Sequence, residues 1–145
     1  MAAVRIMQKR DVDEVVRLEQ QIFSRPWGSK GFLDALSLPN TAFYVAEEEQ
    51  KILGYCGMYL SLDEAEITNV AVAQASRCRG IGGMLLCAMK KEAELRSIPK
   101  IVLEVRVSND TAIRLYERND FLRCGLRKNF YEAPVEDAYI MIYGQ

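Results

Sequence analysis

Apolar residues recur along the chain with either strand or helix periodicity, and the two patterns follow one another in mixed order. The strand-like runs lie at residues 4–7, 41–47, 52–60, 65–72, 100–107, 122–125 and 138–143. Helical patterns occupy the stretch before Arg25, the stretch before Pro39, the stretch after Gly83 and residues 110–118. The resulting order is β-α-α-β-β-β-α-β-α-β-β, which indicates an α+β (mixed α/β) fold without internal repeats.

The helix boundaries are predicted from polar and apolar positions together. Asp11 and Glu14 have the spacing of a capping box, and Ser29 is the predicted N-cap of the second helix. The first stripe contains one acidic residue among its members, Val12, Val15, Val16, Glu19 and Ile22. The third helix is predicted to run to about Arg96, with an inward face formed by Leu85, Leu86, Met89 and Ala93.

Length and composition are those of an ordinary globular protein. The 145 residues are expected to form a single domain, 1–145, and half of them are apolar. A net charge of −1 gives no reason to expect a nucleic acid or an anionic membrane as partner. No apolar leader region or run of membrane-spanning length is found, so a cytoplasmic location is expected.

Cysteine and histidine usage narrows the possible chemistry. The four cysteines, at positions 56, 78, 87 and 124, form no Cys-x-x-Cys pair, so reduced thiols are expected and a metal site is not. The chain contains no histidine. Histidine-based triads and most zinc chemistry are therefore excluded, which leaves Glu, Asp, Tyr, Lys and Cys as candidate catalytic groups.

A glycine-rich segment, residues 77–83, opens directly into the third predicted helix. Unpaired amides at a helix N-terminus can hold a phosphate, and Arg77 and Arg79 could add charge. The alternative is a sharp turn with solvated arginines. Met84 and Leu85 exclude a Walker-type loop, which needs Lys and Ser or Thr, and the dinucleotide pattern needs glycine where Leu85 stands. The remaining spacing, Arg-x-x-Gly-x-Gly, resembles the pyrophosphate loop of GNAT acyl-coenzyme A-dependent N-acetyltransferases.

A single carboxylate lies inside the apolar strand at residues 100–107. Glu104 shares a strand face with Val102 and Arg106. One interpretation is a half-exposed Glu104 paired with Arg106. The other is a general base that faces a cleft and takes a proton, directly or through water, from an attacking amine.

Tyr116 lies on the inward stripe of the fourth predicted helix, with Ala112 and Leu115. It could be a core aromatic with a satisfied hydroxyl. It could also be a general acid that protonates a departing thiolate, a transfer that is modestly uphill at reference pKa values.

Motifs spread from residue 23 to residue 141 resemble the bacterial ribosomal-protein-alanine N-acetyltransferase family within GNAT. They are the segments 63–67, 103–106, 108–109, 112, 115–117, 129–131 and 136–138, with Phe23 to Trp27 and Phe32 in the first-helix region. The resemblance implies the GNAT fold, a mostly antiparallel central sheet with helices on both faces. It also implies that the strands at 65–72 and 100–107 lie parallel. Asp120, Phe130 and Gly28 depart from the family pattern, the latter two where an acceptor peptide would bind.

The same resemblance assigns roles to individual residues. It implies that Glu104 is the general base and Tyr116 the general acid, and that acetyl-coenzyme A (acetyl-CoA) is the co-substrate. The residues expected to contact it are Asn69, Val70, Ala71, Val72, Arg77, Cys78, Arg79, Gly80, Ile81, Gly82, Gly83, Asn109 and Tyr116. An unpaired amide near Val70 to Val72 is expected to polarise the thioester carbonyl.

The implied activity is acetyl transfer to a protein N-terminus by direct attack in a ternary complex. The family's usual acceptor is the N-terminal alanine of small-subunit ribosomal protein eighteen. Three alternatives stay open: a small amine or protein lysine as acceptor, a coenzyme-binding module without turnover, and a ping-pong route through Cys78. The sequence does not indicate the oligomeric state.

Overall fold

The helices and strands follow the predicted order. The computed structural model describes residues 1–144, and its regular elements are β1 (Ala3–Ile6), α1 (Val12–Ile22), α2 (Ser29–Leu36), β2 (Thr41–Glu48), β3 (Lys51–Leu60), β4 (Ala65–Val72), α3 (Ile81–Leu95), β5 (Lys100–Arg106), α4 (Asp110–Arg118), β6 (Leu122–Glu132) and β7 (Val135–Gly144). Short 3₁₀ turns precede α1 and α3. The predicted mixed α/β class is confirmed.

One seven-stranded sheet runs through the described residues in the order β1-β2-β3-β4-β5-β7-β6. β2, β3 and β4 form the predicted antiparallel meander, and β4 and β5 form the predicted parallel pair, joined through α3. The remaining neighbours are antiparallel. The mostly antiparallel sheet implied by the family resemblance is therefore confirmed.

Helices cover both faces of this sheet, with a separate apolar cluster under each layer. Val45 and Tyr55 pack with α1 and α2, whereas their chain neighbours Ala46 and Cys56 pack with α3 and α4. Successive strand residues point to opposite faces, so this division follows from the pleat. The residues predicted to face inward from α3 are all buried: Leu85, Leu86, Met89 and Ala93.

β4 and β5 pair along only a short part of their length. The paired positions are Ala65 with Ile101 and Glu66 with Val102. On the other side of β4, Gly57 pairs with Asn69 and Met58 with Ile67, so Thr68 is an extra residue that forms a β-bulge. A bulge bends its strand and increases the local twist. The two parallel strands diverge beyond it, and a cleft opens between them.

The start of α1 after Asp11 is as predicted, but its capping contacts and the N-cap of α2 are not. The Asp11 carboxylate does not cap α1 but accepts bonds from Gln8 N–H at 2.8 Å and from Arg5 at 2.8 and 2.9 Å, while Glu14 accepts the Ile52 N–H at 2.9 Å. Gly28 is the N-cap of α2, and Ser29 is its first helical residue. The Asp11 carboxylate thus caps the preceding 3₁₀ turn and pairs with β1, and the Glu14 carboxylate bonds β3.

β6 is longer than the predicted strand at 122–125, because it extends to Glu132. Its polar second half has no apolar alternation, and its pairing with β7 defines it as a strand. Among residues 1–144, no helix combines the length and the apolar character that crossing a membrane would require.

Candidate active site

The gap between β4 and β5 forms a cleft of about 600 Å³. Its floor is made by residues 67–70 of β4 and 103–106 of β5. One wall is the end of α1 with the α1–α2 loop, defined here as residues 23–28, and the opposite wall is the β6–β7 hairpin tip, residues 130–134. Asn109, Ala112 and Tyr116 of α4 complete the lining. Four separate parts of the chain therefore meet around one space.

Glu104 lies on the floor of the cleft. Its side chain is 16% exposed, and its Oε2 lies 3.5 Å from Arg127 Nε of β6. Burial and the nearby Glu66 raise the pKa of Glu104, against a lowering by Arg127. A raised pKa makes a carboxylate a better proton acceptor.

The alternative interpretation of Glu104, an ion pair with Arg106, is wrong. Arg106 instead pairs with Glu136 at 3.1 Å and lies 4.2 Å from the centre of the Tyr131 ring. Its guanidinium also donates to the Pro134 carbonyl at 2.9 Å. Arg106 thus fixes the hairpin tip against β5 and leaves Glu104 to face the cleft.

The hairpin tip contributes a tyrosine, Tyr131, to the cleft lining. Burial raises the pKa of Tyr131 to about 12, so its phenol is neutral across the physiological range. Phe130 lies beside it, with the two ring centres 5.0 Å apart and perpendicular. The hairpin tip therefore gives the cleft an aromatic wall.

Tyr116 is buried on the inward face of α4, as predicted, and also lines the cleft. Its ring centre lies 5.8 Å from that of Phe121. Burial raises the pKa of Tyr116. The hydroxyl is therefore protonated at neutral pH, as a proton donor must be, although its acid strength is reduced.

Asn109 is the N-cap of α4, and its carboxamide oxygen accepts the Ala112 N–H at 3.2 Å. The helix uses that oxygen, so the NH₂ group is the donor that a ligand in the cleft could meet. Asn69 and Val70 of β4 line the same cleft. Ala71 and Val72 continue β4 beyond the lining, toward the glycine-rich segment.

The glycine-rich segment has the backbone of an anion cradle. Cys78 and Gly80 both adopt positive φ, 64° and 79°. The first helical hydrogen bond of α3 runs from Met84 N–H to Gly80 C=O at 3.1 Å, so the amides of Ile81, Gly82 and Gly83 precede the ladder. Gly82 has a further role, because a Cβ there would lie 2.7 Å from Leu115 Cδ2. Its missing side chain lets α4 pack closely against α3.

Both arginines of this segment have protein partners. Arg77 Nε donates to the Val72 carbonyl at 3.3 Å, and Arg79 donates to both Glu48 oxygens at 2.9 and 3.0 Å. Arg79 would have to leave Glu48 to bond a phosphate. The backbone amides of the segment are therefore the groups that are free to bind an anion first.

One predicted group of residues meets in the cleft and another does not. Asn69, Val70, Glu104, Asn109 and Tyr116 share the lining. The remaining predicted coenzyme contacts lie outside it, along the end of β4 and the start of α3: Ala71, Val72, Arg77, Cys78, Arg79, Gly80, Ile81, Gly82 and Gly83. This division separates the proposed chemistry from the proposed phosphate cradle.

Three residues in or beside the cleft were not predicted to be functional. Glu19 and Tyr131 line the cleft, and Arg127 lies beside Glu104. Glu19 is 2% exposed and lines the cleft from α1. The sequence did indicate that Glu19 is unusual, because it is the only acidic member of an otherwise apolar helical stripe. Arg127 gave no comparable signal, because its proximity to Glu104 depends on the β5-β7-β6 strand order.

Comparisons with known proteins show which sequences and folds this chain resembles. Residues 12–121 match the sequence model of the acetyltransferase (GNAT) family. The chain is 33% identical, over 97% of its length and 96% of the relative's, to a Salmonella typhimurium (strain LT2) protein named ribosomal protein bS18-alanine N-acetyltransferase. It is 36% identical, over 97% and 93%, to a Bacillus subtilis (strain 168) protein provisionally named for the same activity.

A solved structure supports the same relationship. The ribosomal-protein-S18-alanine N-acetyltransferase from Escherichia coli superposes with a TM-score of 0.90 at 29% identity, covering 99% of this chain and 94% of the other.

Proposed function

Because the chain belongs to the acetyltransferase (GNAT) family, whose model spans residues 12–121, we propose that it transfers acetyl from acetyl-CoA to protein N-termini. The proposed acceptor is the N-terminal alanine of ribosomal protein bS18, the substrate for which the relatives from Salmonella and Escherichia coli are named. The proposed route is direct attack in a ternary complex. N-acetyltransferase activity follows from the family, and the acceptor and the residue roles are the proposal.

Acetyl-CoA is the acetyl donor of this family, and the residues at the glycine-rich segment fit its pyrophosphate. The amides of residues 81–83 precede the helical ladder, and a Cβ at Gly80 would meet no atom within 4 Å, so the approach is open. A helix N-terminus favours negative charge in addition. An Arabidopsis thaliana NAA60 structure in complex with acetyl-CoA shares the fold, with a TM-score of 0.91 at 19% identity over both full chains.

In the proposed reaction, Glu104 accepts the proton that the attacking amine loses. A free α-amine has a reference pKa of about 7.7 to 8.0, so a fraction is already neutral near pH 7. The nitrogen–carbon bond forms as the carbon–sulfur bond breaks, and Tyr116 donates its hydroxyl proton to the departing sulfur. The raised pKa of Glu104 suits the first step. Burial raises the pKa of Tyr116 and so makes it a weaker acid, which means that its proton must move to the sulfur as negative charge develops there.

The walls of the cleft favour an extended chain end as acceptor. Trp27 on one side and Phe130 and Tyr131 on the other add aromatic surface to the lining that contains Glu104. Glu66 adds negative charge near Glu104. Such a site attracts an ammonium group and packs against the side chains that follow it.

The observation that carries the proposal is that Glu104 and Tyr116, taken from separate sequence motifs, line one cleft beside the unpaired end of β4. The test is thiol release from acetyl-CoA with peptides that differ only in their first three residues. Control acceptors are the same peptide with its α-amine acetylated and one internal lysine, and a polyamine. The alanine-first peptide is expected to react fastest, and the blocked peptide not at all.

The other results would each contradict the proposal in a different way. Faster reaction of the internal lysine or of the polyamine would move the acceptor to another class. Absence of thiol release with every acceptor, in a protein that still binds acetyl-CoA, would indicate a binding module.

A further inference from the structure

A buried carboxylate, Glu19, joins the α1–α2 loop to β4. That loop is one wall of the cleft and is called the acceptor wall here, and β4 leads to the proposed coenzyme contacts. Glu19 Oε2 accepts the Trp27 N–H at 2.9 Å. Its Oε1 accepts the Tyr55 hydroxyl and, at 3.3 Å, the Asn69 NH₂ group. Glu19 therefore holds α1, the α1–α2 loop, β3 and β4 at one point, and no step of the proposed reaction uses it.

The three neighbours of Glu19 all donate hydrogen bonds. Burial raises the pKa of Glu19, whereas the bonds from Trp27 and Asn69 lower it. In its ionised form the carboxylate is an acceptor only and satisfies all three donors. A glutamine would place an NH₂ donor against at least one existing donor. Bonds to a buried charged group are among the stronger ones, and an unsatisfied partner is costly. The site is thus built for a carboxylate and discriminates against its closest isostere.

The hydrogen-bond chain continues from Glu19 into the β-bulge. Asn69 is 5% exposed, and its Oδ1 accepts the Thr68 hydroxyl at 2.5 Å. Thr68 is the extra residue at which β4 turns away from β5. At the other end of this series of hydrogen bonds, the Trp27 N–H belongs to the loop that forms the acceptor wall. The position of that wall is therefore linked to the bulge that opens the cleft.

We propose that Glu19 is a positioning residue that fixes the α1–α2 loop against the β4 bulge and so sets the acceptor-binding half of the cleft. The inference rests on the proposed function for its kinetic meaning. Glu19 itself touches neither reacting atom in this account. Its loss is expected to weaken acceptor binding while the phosphate cradle at residues 77–83, on the far end of β4, is left intact.

The test compares Glu19→Gln with a matched control on the same helix. Glu14→Gln removes a carboxylate that also joins α1 to β3, through the Ile52 N–H at 2.9 Å, but that does not line the cleft. We expect Glu19→Gln to raise the peptide KM about tenfold or more, since small displacements of a binding wall are costly. The acetyl-CoA Kd should change less than the peptide KM, because residues 77–83 do not contact Glu19, and Glu14→Gln should change neither constant by more than about twofold.

A second readout does not depend on turnover. Trp27 is the single tryptophan of the chain, and its backbone is bonded directly to Glu19. Release of the loop should increase quenching of tryptophan fluorescence by acrylamide in Glu19→Gln and leave it unchanged in Glu14→Gln. Tyr55→Phe removes one of the three donors and should give a smaller change in the same direction. It serves as the folded variant if Glu19→Gln does not fold.

The outcomes separate the two proposals. If the wild-type protein acetylates no peptide, the proposed function fails, and the quenching comparison alone decides whether Glu19 anchors the loop. If the wild-type protein is active and Glu19→Gln, or Tyr55→Phe in its place, keeps the peptide KM and the quenching of the wild type, the positioning role is wrong. Equal changes in the Glu19 and Glu14 variants would also overturn it, because they would indicate a general structural effect.

Discussion

The glycine-rich segment and the cleft, called here the donor end and the acceptor end of the site, are built in different ways. At the proposed donor end, residues 77–83 offer backbone amides at a helix N-terminus, and both arginines of the segment are already bonded to protein groups. At the proposed acceptor end, side chains from α1, the α1–α2 loop, β5, β6 and the hairpin tip meet. A backbone site tolerates varied side chains, whereas a side-chain site depends on each residue. Activity should therefore be sensitive to backbone conformation at the donor end and to single side-chain substitutions at the acceptor end.

Apart from Glu104 itself, the largest effect is expected at Tyr116, which lines the cleft from α4. Tyr116→Phe keeps the ring that packs against Phe121 and removes only the hydroxyl. Loss of a general acid should lower kcat about 100-fold, with acetyl-CoA Kd and thermal stability close to those of the wild type. Steady-state kinetics and a melting curve measure this. Unchanged turnover would leave Tyr116 as a core aromatic only.

A second prediction concerns the packing of the donor end. A Cβ at Gly82 would lie 2.7 Å from Leu115, whereas one at Gly83 would make only ordinary contacts at 3.8 Å and beyond. Both substitutions gain helix propensity, but the new Cβ at position 82 must displace the tip of the Leu115 side chain, so Gly82→Ala should be less stable than Gly83→Ala by about 1 kcal/mol. Gly83→Ala is the matched control and should be neutral or stabilising in denaturant titrations. Equal stability of the two variants would show that α3 and α4 are not closely coupled at this point.

The third prediction concerns the charges around Glu104. Arg127 lowers the pKa of Glu104 and Glu66 raises it. A general base must be deprotonated, so kcat/KM falls as pH falls through that pKa. Arg127→Gln should move the acidic limb of the kcat/KM profile to higher pH, and Glu66→Gln should move it to lower pH.

Arg123→Gln provides the control for that pH shift. Arg123 lies on the same strand as Arg127 and pairs with Glu117, also at 3.5 Å, away from the cleft lining. Its variant should leave the acidic limb where it is. A limb that does not move in either the Arg127 or the Glu66 variant would mean that Glu104 is not the titrating base.

The smallest effect is expected from the ion pair that joins the two acceptor walls. Arg25 of the α1–α2 loop lies 3.1 Å from Glu132 of the hairpin tip, and both side chains are 69% exposed. Exposed pairs contribute about 0.5 kcal/mol or less. Arg25→Ala should therefore change the peptide KM by less than about twofold at physiological salt. A much larger increase in KM would make Arg25 a direct acceptor contact.

The sequence predicted best those features that depend on contiguous residues. The order of elements and the inward face of α3 follow from local periodicity, and the parallel β4–β5 pair was implied by the family resemblance. The glycine-rich segment was identified from its spacing, and Gly80 in it has positive φ, as a sharp turn into a helix requires. The positive φ of Asp120, 71°, similarly shows how an aspartate can take a helix exit where the family usually has glycine.

Features that depend on strand order or on partners distant in sequence were not predicted. Arg127 of β6 reaches Glu104 of β5 across β7, which lies between these two strands in the sheet. Asp11 and Glu14 match a capping box, but Arg5 and the Ile52 amide compete successfully for their carboxylates. Glu19 has three hydrogen-bond partners on other elements, at separations of 8, 36 and 50 residues. Local pattern contains no information about such pairings.

The most direct test of the central claim, that the cleft activates an amine through Glu104, is the Glu104→Gln variant with an alanine-first peptide near pH 7. The account predicts a fall in kcat of about 100-fold or more, as expected for loss of a general base, with an acetyl-CoA Kd within about twofold of the wild type. A Glu104→Gln enzyme that retained the wild-type kcat would contradict it.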